Sequence, residues 1–302
     1  MTHPHTDLWE TAREAARRVA VEAWAVIQPI YEGEFEVEIK SDTSPTTEAD
    51  KQADRLIVQS LRREFPSPQY GYLSEEGEHG LERLESQRVW IIDPIDGTRD
   101  FIKRNGYFAI HIGLAEPLED GVWHPVASAV YWPVAGLMFS AVRGQGARRQ
   151  KVAPRLAAGQ VEALGPAEPL GVSRLGELTQ MRPVLSETYE TSRLMRLLKH
   201  LELQGFRNFG SLGVKLCLIA GGEADLYVNI ALGRSKEWDT CAPELILTEA
   251  GGTLTTLEGQ PIHYNQADVA HHQGLLATNG VAHAAILAKV RRFLIAEAVL
   301  SE

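Results

Sequence analysis

The strongest structural signal in the sequence is the stretch VWIIDPIDGT, residues 89–98. Its first four residues form a continuous apolar run, which is typical of a strand buried on both faces. Asp93 and Asp96 follow directly at the end of this strand. Two carboxylates so close together repel each other unless a positive group lies between them. A hard divalent cation such as Mg²⁺, which takes oxygen ligands, is one interpretation, and a solvated turn is the other.

The turn that follows the aspartates has features of a phosphate-binding loop. Pro94 restricts the backbone, and Gly97 allows the backbone to approach a ligand closely. The backbone amides of Gly97 and Thr98 would then point toward an anion, as amides do at the start of a helix. We therefore predict that Gly97 and Thr98 bind a phosphate next to the aspartates.

Three acidic positions elsewhere in the chain are candidates for the same site. Glu75 follows a short apolar strand and would complete a cage of carboxylates, although glutamates at strand ends are commonly solvated. Asp239 is expected to be the N-cap of a helix, with its second oxygen free for a metal. Asp50 has the spacing of a capping box with Thr47. The functional alternative is that Asp50 orients a hydroxyl or a water for in-line attack on phosphorus.

Periodicity predicts an α/β fold in which layers of helices cover sheets. The first half has a helix over 8–27, capped by Asp7 and Glu10 and ended by Pro29, a second helix over 47–64, and a hairpin of 126–132 and 137–142. The second half alternates, with helices at 188–203, 211–220, 239–250 and 281–300 and strands at 170–172, 225–228, 253–256 and 275–278.

Length and composition are those of an ordinary globular protein. The 302 residues, 44% of them apolar and 23% charged, suggest one large domain or two closely fused ones. The segment 150–171 is rich in Ala, Pro and Gly and has no clear period, so we place the boundary there. The N-terminal half, 1–160, then carries most of the candidate metal ligands, and the C-terminal half, 161–302, carries the last of them and the expected specificity residues.

Several classes of protein are excluded or disfavoured. Thirty basic and forty acidic residues give a net charge of −10, which argues against a general binder of nucleic-acid polymers. Cys217 and Cys241 are too few for a disulfide framework and fit a reducing cytosol, so we expect a cytoplasmic protein. No signal sequence and no apolar run of ~18 residues is present, so no membrane span is expected. The absence of a P-loop excludes most nucleoside triphosphatases.

Three segments together resemble the inositol monophosphatase-like superfamily of Mg²⁺-dependent, lithium-sensitive phosphomonoesterases. They are LSEE (73–76), WIIDPIDGT (90–98) and WDTCAP (238–243), and the resemblance runs from about residue 34 to residue 279. It implies a layered α-β-α-β-α sandwich of the inositol monophosphatase and fructose-1,6-bisphosphatase type. It also implies two or three Mg²⁺ ions, bound by Glu75, Asp93, the carbonyl of Ile95, Asp96 and Asp239. Thr98 and Asp50 would then take a proton from the attacking water.

Within the superfamily, TRDFIKRNG (98–106) is most similar to the 3′(2′),5′-bisphosphate nucleotidases. These enzymes remove the 3′-phosphate of adenosine 3′,5′-bisphosphate, a by-product of sulfate transfer. GSLGVK (210–215) is similar to the nucleotidase segment in which Ser211 and Lys215 approach the substrate. VLSETY (184–189) lacks the sequence common at this point in the bacterial nucleotidases. Inositol monophosphate or a related sugar phosphate is therefore the alternative substrate.

Basic residues near these segments are candidates for binding a second phosphate. They are Lys215, Arg234 and Lys236, and the alternative for all three is a solvated basic face. The expected partner is a small anionic phosphomonoester, and a homodimer is one possible assembly. A non-catalytic relative that binds phosphate or metal is a further alternative, which the presence of every expected acid together with Thr98 and Asp50 opposes.

Overall fold

The structure is a computed structural model that describes residues 5–153, 163–186 and 192–299, and side chains as far as residue 297. Its helices are α1 (Thr6–Glu32), α2 (Glu48–Glu64), α3 (Thr98–Lys103), α4 (Ser192–His200), α5 (Leu212–Ala220), α6 (Glu237–Glu249) and α7 (His283–Val299). Its strands are β1 (Val37–Ile39), β2 (Pro45–Thr47), β3 (Tyr70–Ser74), β4 (Arg88–Asp96), β5 (Ala109–Pro117), β6 (Trp123–Trp132), β7 (Leu137–Val142), β8 (Ala147–Lys151), β9 (Glu168–Pro169), β10 (Val184–Leu185), β11 (Arg207–Asn208), β12 (Leu226–Asn229), β13 (Thr253–Thr255) and β14 (Leu275–Thr278).

A seven-stranded sheet in the order β3-β4-β5-β6-β7-β8-β9 forms the centre of the fold. Strand β3 is parallel to β4, and every later pair is antiparallel. All nine residues of β4 are buried, which confirms the prediction of a strand covered on both faces. Trp90 and Ile92 pack in the core formed with α1 and α2. Val89 and Ile91 pack in the core on the opposite face, with α5 and α6.

A second, three-stranded sheet in the order β12-β14-β13 covers the other side of α5 and α6. Tyr227 of β12 points into the core shared with these helices. Its neighbours Leu226 and Val228 point the other way, into a core formed with α4 and α7. The layers are therefore α1 and α2, the large sheet, α5 and α6, the small sheet, and α4 and α7. This confirms the predicted α-β-α-β-α sandwich.

The N-terminal helix α1 differs from its prediction at both ends. It begins directly after His5, whose side chain makes no capping hydrogen bond. The predicted capping pair of Asp7 and Glu10 is wrong, because both residues lie inside the helix and Glu10 binds an arginine of the next turn. The helix also continues past Pro29, whose carbonyl oxygen accepts a hydrogen bond from the Gly33 amide at 3.0 Å.

Other predicted elements agree with the structure more closely. The hairpin is β6 and β7, and α5, α6, α7, β12, β13 and β14 lie within two residues of their predicted bounds. The strand predicted at 170–172 is wrong, because the paired residues are Glu168 and Pro169. The predicted start of α4 at 188–191 and the centre of the predicted domain boundary, 154–162, lie outside the described residues, and the division into two halves stays a prediction. Among the residues described, no helix is both long enough and apolar enough to cross a membrane.

Candidate active site

Three carboxylates converge where β4 ends and α6 begins. Oxygen atoms of Asp93, Asp96 and Asp239 all lie within 4.8 Å of one another, and we call this group the carboxylate cluster. The pairing of β4 with β5 shifts register between Asp93 and Asp96, and such an irregularity re-aims side chains at the end of a strand. The amide of Ile95 donates to Asp93 Oδ1 at 3.0 Å, which fixes the turn between the two aspartates.

Asp239 reaches the cluster through the local structure of α6, and its predicted position in that helix is wrong. The N-cap is Lys236, so Asp239 is the third residue of the helix rather than its cap. Its Oδ2 accepts a hydrogen bond of 2.6 Å from the Lys236 amide, as the acidic member of a capping box does. The helix begins earlier than predicted because Glu237 is already anchored by its amide to Val269. The carboxylate is thus fixed by the same turn that starts the helix.

The electrostatics of the cluster fit a bound cation. Burial, followed by the nearby carboxylates of Glu75, Asp96 and Asp239, raises the pKa of Asp93 well above its usual range. Burial and then Asp96 likewise raise the pKa of Asp239. Buried carboxylates with raised pKa values are short of positive charge, and a donor set made only of oxygens suits a hard cation such as Mg²⁺. We conclude that the residues present can hold a metal of this type.

Asp96 differs from its neighbours because other groups already stabilise its charge. Its Oδ2 accepts hydrogen bonds from Ser211 Oγ at 2.6 Å and from the Gly213 amide at 2.9 Å, and His111 Nε2 lies 3.2 Å away. Burial alone would raise the pKa of Asp96, but His111, Lys215 and Ser211 together lower it. A Cβ at Gly213 would lie only 2.0 Å from His111 Nε2, so glycine is required there. Neither His111 nor Gly213 was identified as a site residue from the sequence.

Glu75 lies beside the cluster and is held by a lysine that the sequence analysis did not identify. The Glu75 amide donates to the carbonyl of Ile92 at 3.2 Å, which ties the end of β3 to β4. Lys40 Nζ lies 3.1 Å from Glu75 Oε1 and also binds Glu76. Burial raises the pKa of Glu75 to about 7, and Lys40 opposes this shift. Glu75 lines the same cavity as the cluster, so the cage of acids predicted from the sequence is brought together.

Thr98 and Asp50 form a hydrogen-bonded pair next to the cluster. Thr98 Oγ1 is 3.2 Å from Asp50 Oδ1 and 3.3 Å from the carbonyl oxygen of Ile95. Asp50 Oδ2 accepts from the Thr47 amide at 2.7 Å and from the Thr47 hydroxyl at 2.6 Å. The capping box predicted for α2 is therefore present, and the second oxygen of the same carboxylate faces Thr98. Burial raises the pKa of Asp50 to about 6.

Gly97, before Thr98, has the backbone conformation that the predicted phosphate loop requires. Its φ is +100°, in the left-handed region that favours glycine. A Cβ at this position would lie 3.1 Å from both the Ser211 amide and the Tyr107 carbonyl oxygen. The close approach of the 211 loop to this turn therefore depends on the absence of a side chain.

The carboxylate cluster, Glu75 and Thr98 line a cavity of about 170 Å³, which we call the acidic cavity. A second cavity of about 260 Å³ shares Ser186 and Tyr227 with it. Most of the remaining wall of this apolar cavity is hydrophobic and consists of Leu194, Val228, Ile230 and Ala231. Arg193 and Asn229 also line it. The two spaces adjoin, so a ligand bound at the cluster has an apolar space next to it.

The residues predicted to bind the substrate, which are three basic residues and Ser211, lie in different places relative to the acidic cavity. The Lys215 ammonium is buried and donates to Ser186 Oγ, to Phe209 O and to Gly210 O, and burial lowers its pKa to about 8. Lys236 Nζ donates to the Gly233 carbonyl at 3.0 Å, and Lys236 does not line the acidic cavity.

Arg234 is exposed and lines the cavity, and so does Arg99, which the sequence analysis did not single out. Ser211 lies under the cluster, where its hydroxyl bonds to Asp96 and accepts from the Val214 amide.

The fold is a layered α/β sandwich, and its central strand brings buried carboxylates next to a threonine–aspartate pair. This combination is that of a metal-dependent phosphoric monoester hydrolase. The comparisons with known proteins agree with this class. The model of the inositol monophosphatase family matches residues 8–294, and the chain belongs to this family. The family acts on small phosphate substrates and depends on metal ions.

Curated relatives include both nucleotidases and inositol phosphatases. The chain is 32% identical over 256 residues to the 3′(2′),5′-bisphosphate nucleotidase CysQ of Escherichia coli (strain K12), covering 82% of this chain and 91% of that protein. It is 30% identical over 262 residues to inositol monophosphatase 1 of Homo sapiens, covering 84% of this chain and 87% of that one. The family is therefore established, and both kinds of substrate occur among relatives of similar identity.

Solved structures of this fold match nearly the whole chain. CysQ from Bacteroides thetaiotaomicron, described as a bacterial member of the inositol monophosphatase family, has a TM-score of 0.71 and 29% identity, covering 90% of this chain and 98% of that one. An inositol monophosphatase from Thermotoga maritima has a TM-score of 0.73 over 95% of this chain and 98% of that one, at 23% identity, and supports the fold alone.

Proposed function

We propose that this chain is a Mg²⁺-dependent phosphomonoesterase that removes the 3′-phosphate of adenosine 3′,5′-bisphosphate. The observation that carries the choice of substrate is the apolar cavity beside the acidic one. The name of the relative at 32% identity, a 3′(2′),5′-bisphosphate nucleotidase, supports the same choice. We further propose that the enzyme acts in the cytoplasm.

The acids around the acidic cavity would hold the metal. They are Glu75, Asp93, Asp96 and Asp239, together with the carbonyl oxygen of Ile95, and we propose that they bind two or three Mg²⁺ ions. Bound Mg²⁺ would neutralise phosphate charge and lower the pKa of a water molecule at the site. Asp96 is already oriented by Ser211 and the Gly213 amide, so this ligand is fixed before any ion binds.

The proton that the attacking water loses would pass through Thr98 to Asp50. The Thr98 hydroxyl can accept this proton while it gives its own to Asp50 Oδ1, 3.2 Å away. Thr47 holds the other oxygen of Asp50 with two hydrogen bonds, so the acceptor is fixed in position. Because burial raises the pKa of Asp50 to about 6, the carboxyl is mostly ionised at neutral pH and still able to hold a proton briefly. The amides of Gly97 and Thr98 would bind the phosphate during this transfer.

The apolar cavity favours a nucleotide over inositol as the group that carries the phosphate. An adenine ring has two apolar faces, which gain free energy when they are buried against Val228, Ile230 and Leu194. Inositol carries a hydroxyl on every ring carbon and would leave this space unused. The alternative substrate is an inositol or sugar phosphate. Ser44 and Ser235 in the polar wall of the acidic cavity can form hydrogen bonds to its hydroxyls. The name of the relative at 30% identity, inositol monophosphatase 1, also supports this alternative.

The test is phosphate release from a panel of monoesters at fixed Mg²⁺. We expect kcat/KM to be highest for adenosine 3′,5′-bisphosphate, and Asp96→Asn to abolish turnover without loss of the fold. Ala231→Phe fills the apolar cavity, so it should lower kcat/KM for the nucleotide about tenfold or more and affect inositol 1-phosphate less. Leu232→Phe, at an exposed neighbouring position outside the cavity, is the matched control. A wild-type preference for inositol 1-phosphate would overturn the choice of substrate.

A further inference from the structure

Two arginines line the acidic cavity, and no described group of the chain forms a hydrogen bond or ion pair with either of them. Arg99 lies in the first turn of α3, directly after Thr98, and Arg234 lies in the loop that leads into α6. Both side chains are exposed. Neither guanidinium has a hydrogen bond or ion pair to any other part of the chain that the structure describes. Each is therefore free to bind a ligand in the cavity.

Several arginines elsewhere in the described residues bind acids directly. Arg88, Arg182 and Arg196, for example, are each bound to a carboxylate. Arg99 and Arg234 line a cavity that contains the whole carboxylate cluster, yet neither binds a carboxylate there. A guanidinium that stabilised the fold would be expected to take one of these partners. The position of the two arginines instead suits an anion that enters from outside.

The lysines near the cavity are poorly placed for the same task. Lys215 uses its three N–H donors on Ser186 Oγ, Phe209 O and Gly210 O, and it is fully buried. A ligand phosphate would have to replace one of these hydrogen bonds. Lys236 bonds to a carbonyl of its own loop and does not line the cavity.

We infer that Arg99 and Arg234 bind the phosphate that is not hydrolysed, so that the site selects substrates that carry two phosphates. The inference rests on the proposed function and names the residues that select its substrate class. A phosphate away from the metal meets a cavity rich in carboxylates, so it needs cationic partners of its own. Guanidinium groups supply them because their planar N–H donors match two phosphate oxygens at once. A substrate with a single phosphate would leave both arginines without a partner.

The experiment compares matched pairs of substrates that differ only in the second phosphate. One pair is adenosine 3′,5′-bisphosphate and adenosine 3′-monophosphate, and the other is fructose 1,6-bisphosphate and fructose 1-phosphate. The readout is the ratio of kcat/KM within each pair, for the wild type, Arg99→Gln, Arg234→Gln and the double variant. Arg291→Gln, an exposed arginine on α7 far along the chain, is the control for a loss of charge. We expect each single variant to lower the ratio about tenfold or more, and Arg291→Gln to leave it unchanged.

A binding measurement separates this inference from the proposed function. Titration of adenosine 5′-monophosphate into the protein with Mg²⁺ should give a weaker Kd in both variants, because this product keeps the phosphate that the arginines bind. If the wild type hydrolyses the bisphosphate but the ratio and the Kd stay the same in the double variant, the two arginines do not select the substrate and the inference is wrong. If the wild type hydrolyses none of the four esters, the proposed function is wrong. The Kd for the monophosphate then decides the role of the arginines by itself.

Discussion

Asp93→Asn is expected to stabilise the protein in the absence of divalent cations while it removes activity. Asp93 is buried, and its carboxylate shares a 4.8 Å region with those of Asp96 and Asp239. Two unit charges at that separation repel by about 3.5 kcal/mol at an effective dielectric constant of 20. Because protonation of Asp93 relieves part of this cost in the wild type, we expect Asp93→Asn to gain about 1–3 kcal/mol in the free energy of unfolding. The amide oxygen of asparagine can still accept the hydrogen bond from Ile95.

The assay is urea denaturation at pH 8 in EDTA and again in Mg²⁺. Asp96→Asn is the contrasting variant, because His111, Lys215 and Ser211 hold the pKa of Asp96 below its usual range, and the Gly213 amide also donates to this carboxylate. Its neutralisation should lower the free energy of unfolding in EDTA by about 1–3 kcal/mol. Mg²⁺ at a hundred times its Kd stabilises a protein that binds it by about 2.7 kcal/mol. The wild type should show this gain, and Asp93→Asn should lose most of it.

Two results would refute this reasoning. If Asp93→Asn lowers stability in EDTA as Asp96→Asn does, the cluster carries no net repulsion and the argument for a cation site from charge fails. If Mg²⁺ stabilises Asp93→Asn as much as the wild type, the ion binds elsewhere or without this carboxylate. Far-UV circular dichroism of both variants checks that each compared state is folded.

The remaining predictions concern the proton path, packing under the cluster and a buried acid away from it. Thr98→Ala and Asp50→Asn should lower kcat by roughly 10²- to 10⁴-fold with little change in KM, whereas Thr98→Ser should keep most of the activity. Steady-state kinetics measures both constants, and an Asp50→Asn variant with near-wild-type kcat would exclude the proton relay. Gly113→Ala places a Cβ 2.8 Å from a cysteine sulfur of α6, so the free energy of unfolding should fall by about 1–3 kcal/mol. Mg²⁺ should also stabilise this variant less than the wild type. Thermal unfolding measures both effects, and an unchanged Tm would contradict the prediction. Burial raises the pKa of Glu244 from 4.5 to about 7, so its stabilising contribution is present below pH 4.5 and lost as the pH rises through 7. The stability of the wild type relative to Glu244→Gln should therefore fall by about 3 kcal/mol between acidic and weakly basic pH in urea titrations, and parallel pH curves would exclude it.

The parts of the fold that the sequence predicted well are those set by local patterns. The apolar run before Asp93 indicated a strand buried on both faces, and the Thr47–Asp50 spacing indicated the start of α2. The errors lie at boundaries, where tertiary contacts decide. Asp239 was expected at the N-cap, but anchoring of Glu237 outside the helix moves the start of α6 earlier. Pro29 was expected to end α1, but the helix continues to Glu32, and the Pro29 carbonyl oxygen still accepts from the Gly33 amide.

The acids of the site were also visible in the sequence, and their partners were not. Asp93 and Asp96 are recognisable because only two residues separate them directly after a continuous apolar run. His111 lies on a strand in which apolar residues alternate with others, and nothing local shows that it faces Asp96. Lys40 likewise meets Glu75 only through the fold. The hydrogen bonds that hold the Lys215 ammonium inside the protein could not be predicted, because two of its three acceptors are backbone carbonyl oxygens, which no residue type marks in a sequence.

In the roles proposed above, the residues for hydrolysis lie apart from the residues for the choice of substrate. The cluster is built by β4 and the start of α6, two elements fixed in the central layers of the sandwich. The groups that can discriminate between substrates lie on α3, on the loop before α6 and on β12 and α4, around the cavity. Changes at Arg99, Arg234 or the apolar wall would alter which ester fits without moving a carboxylate. If the proposed roles hold, such a separation would let one fold serve both substrate classes named among the relatives at 32% and 30% identity.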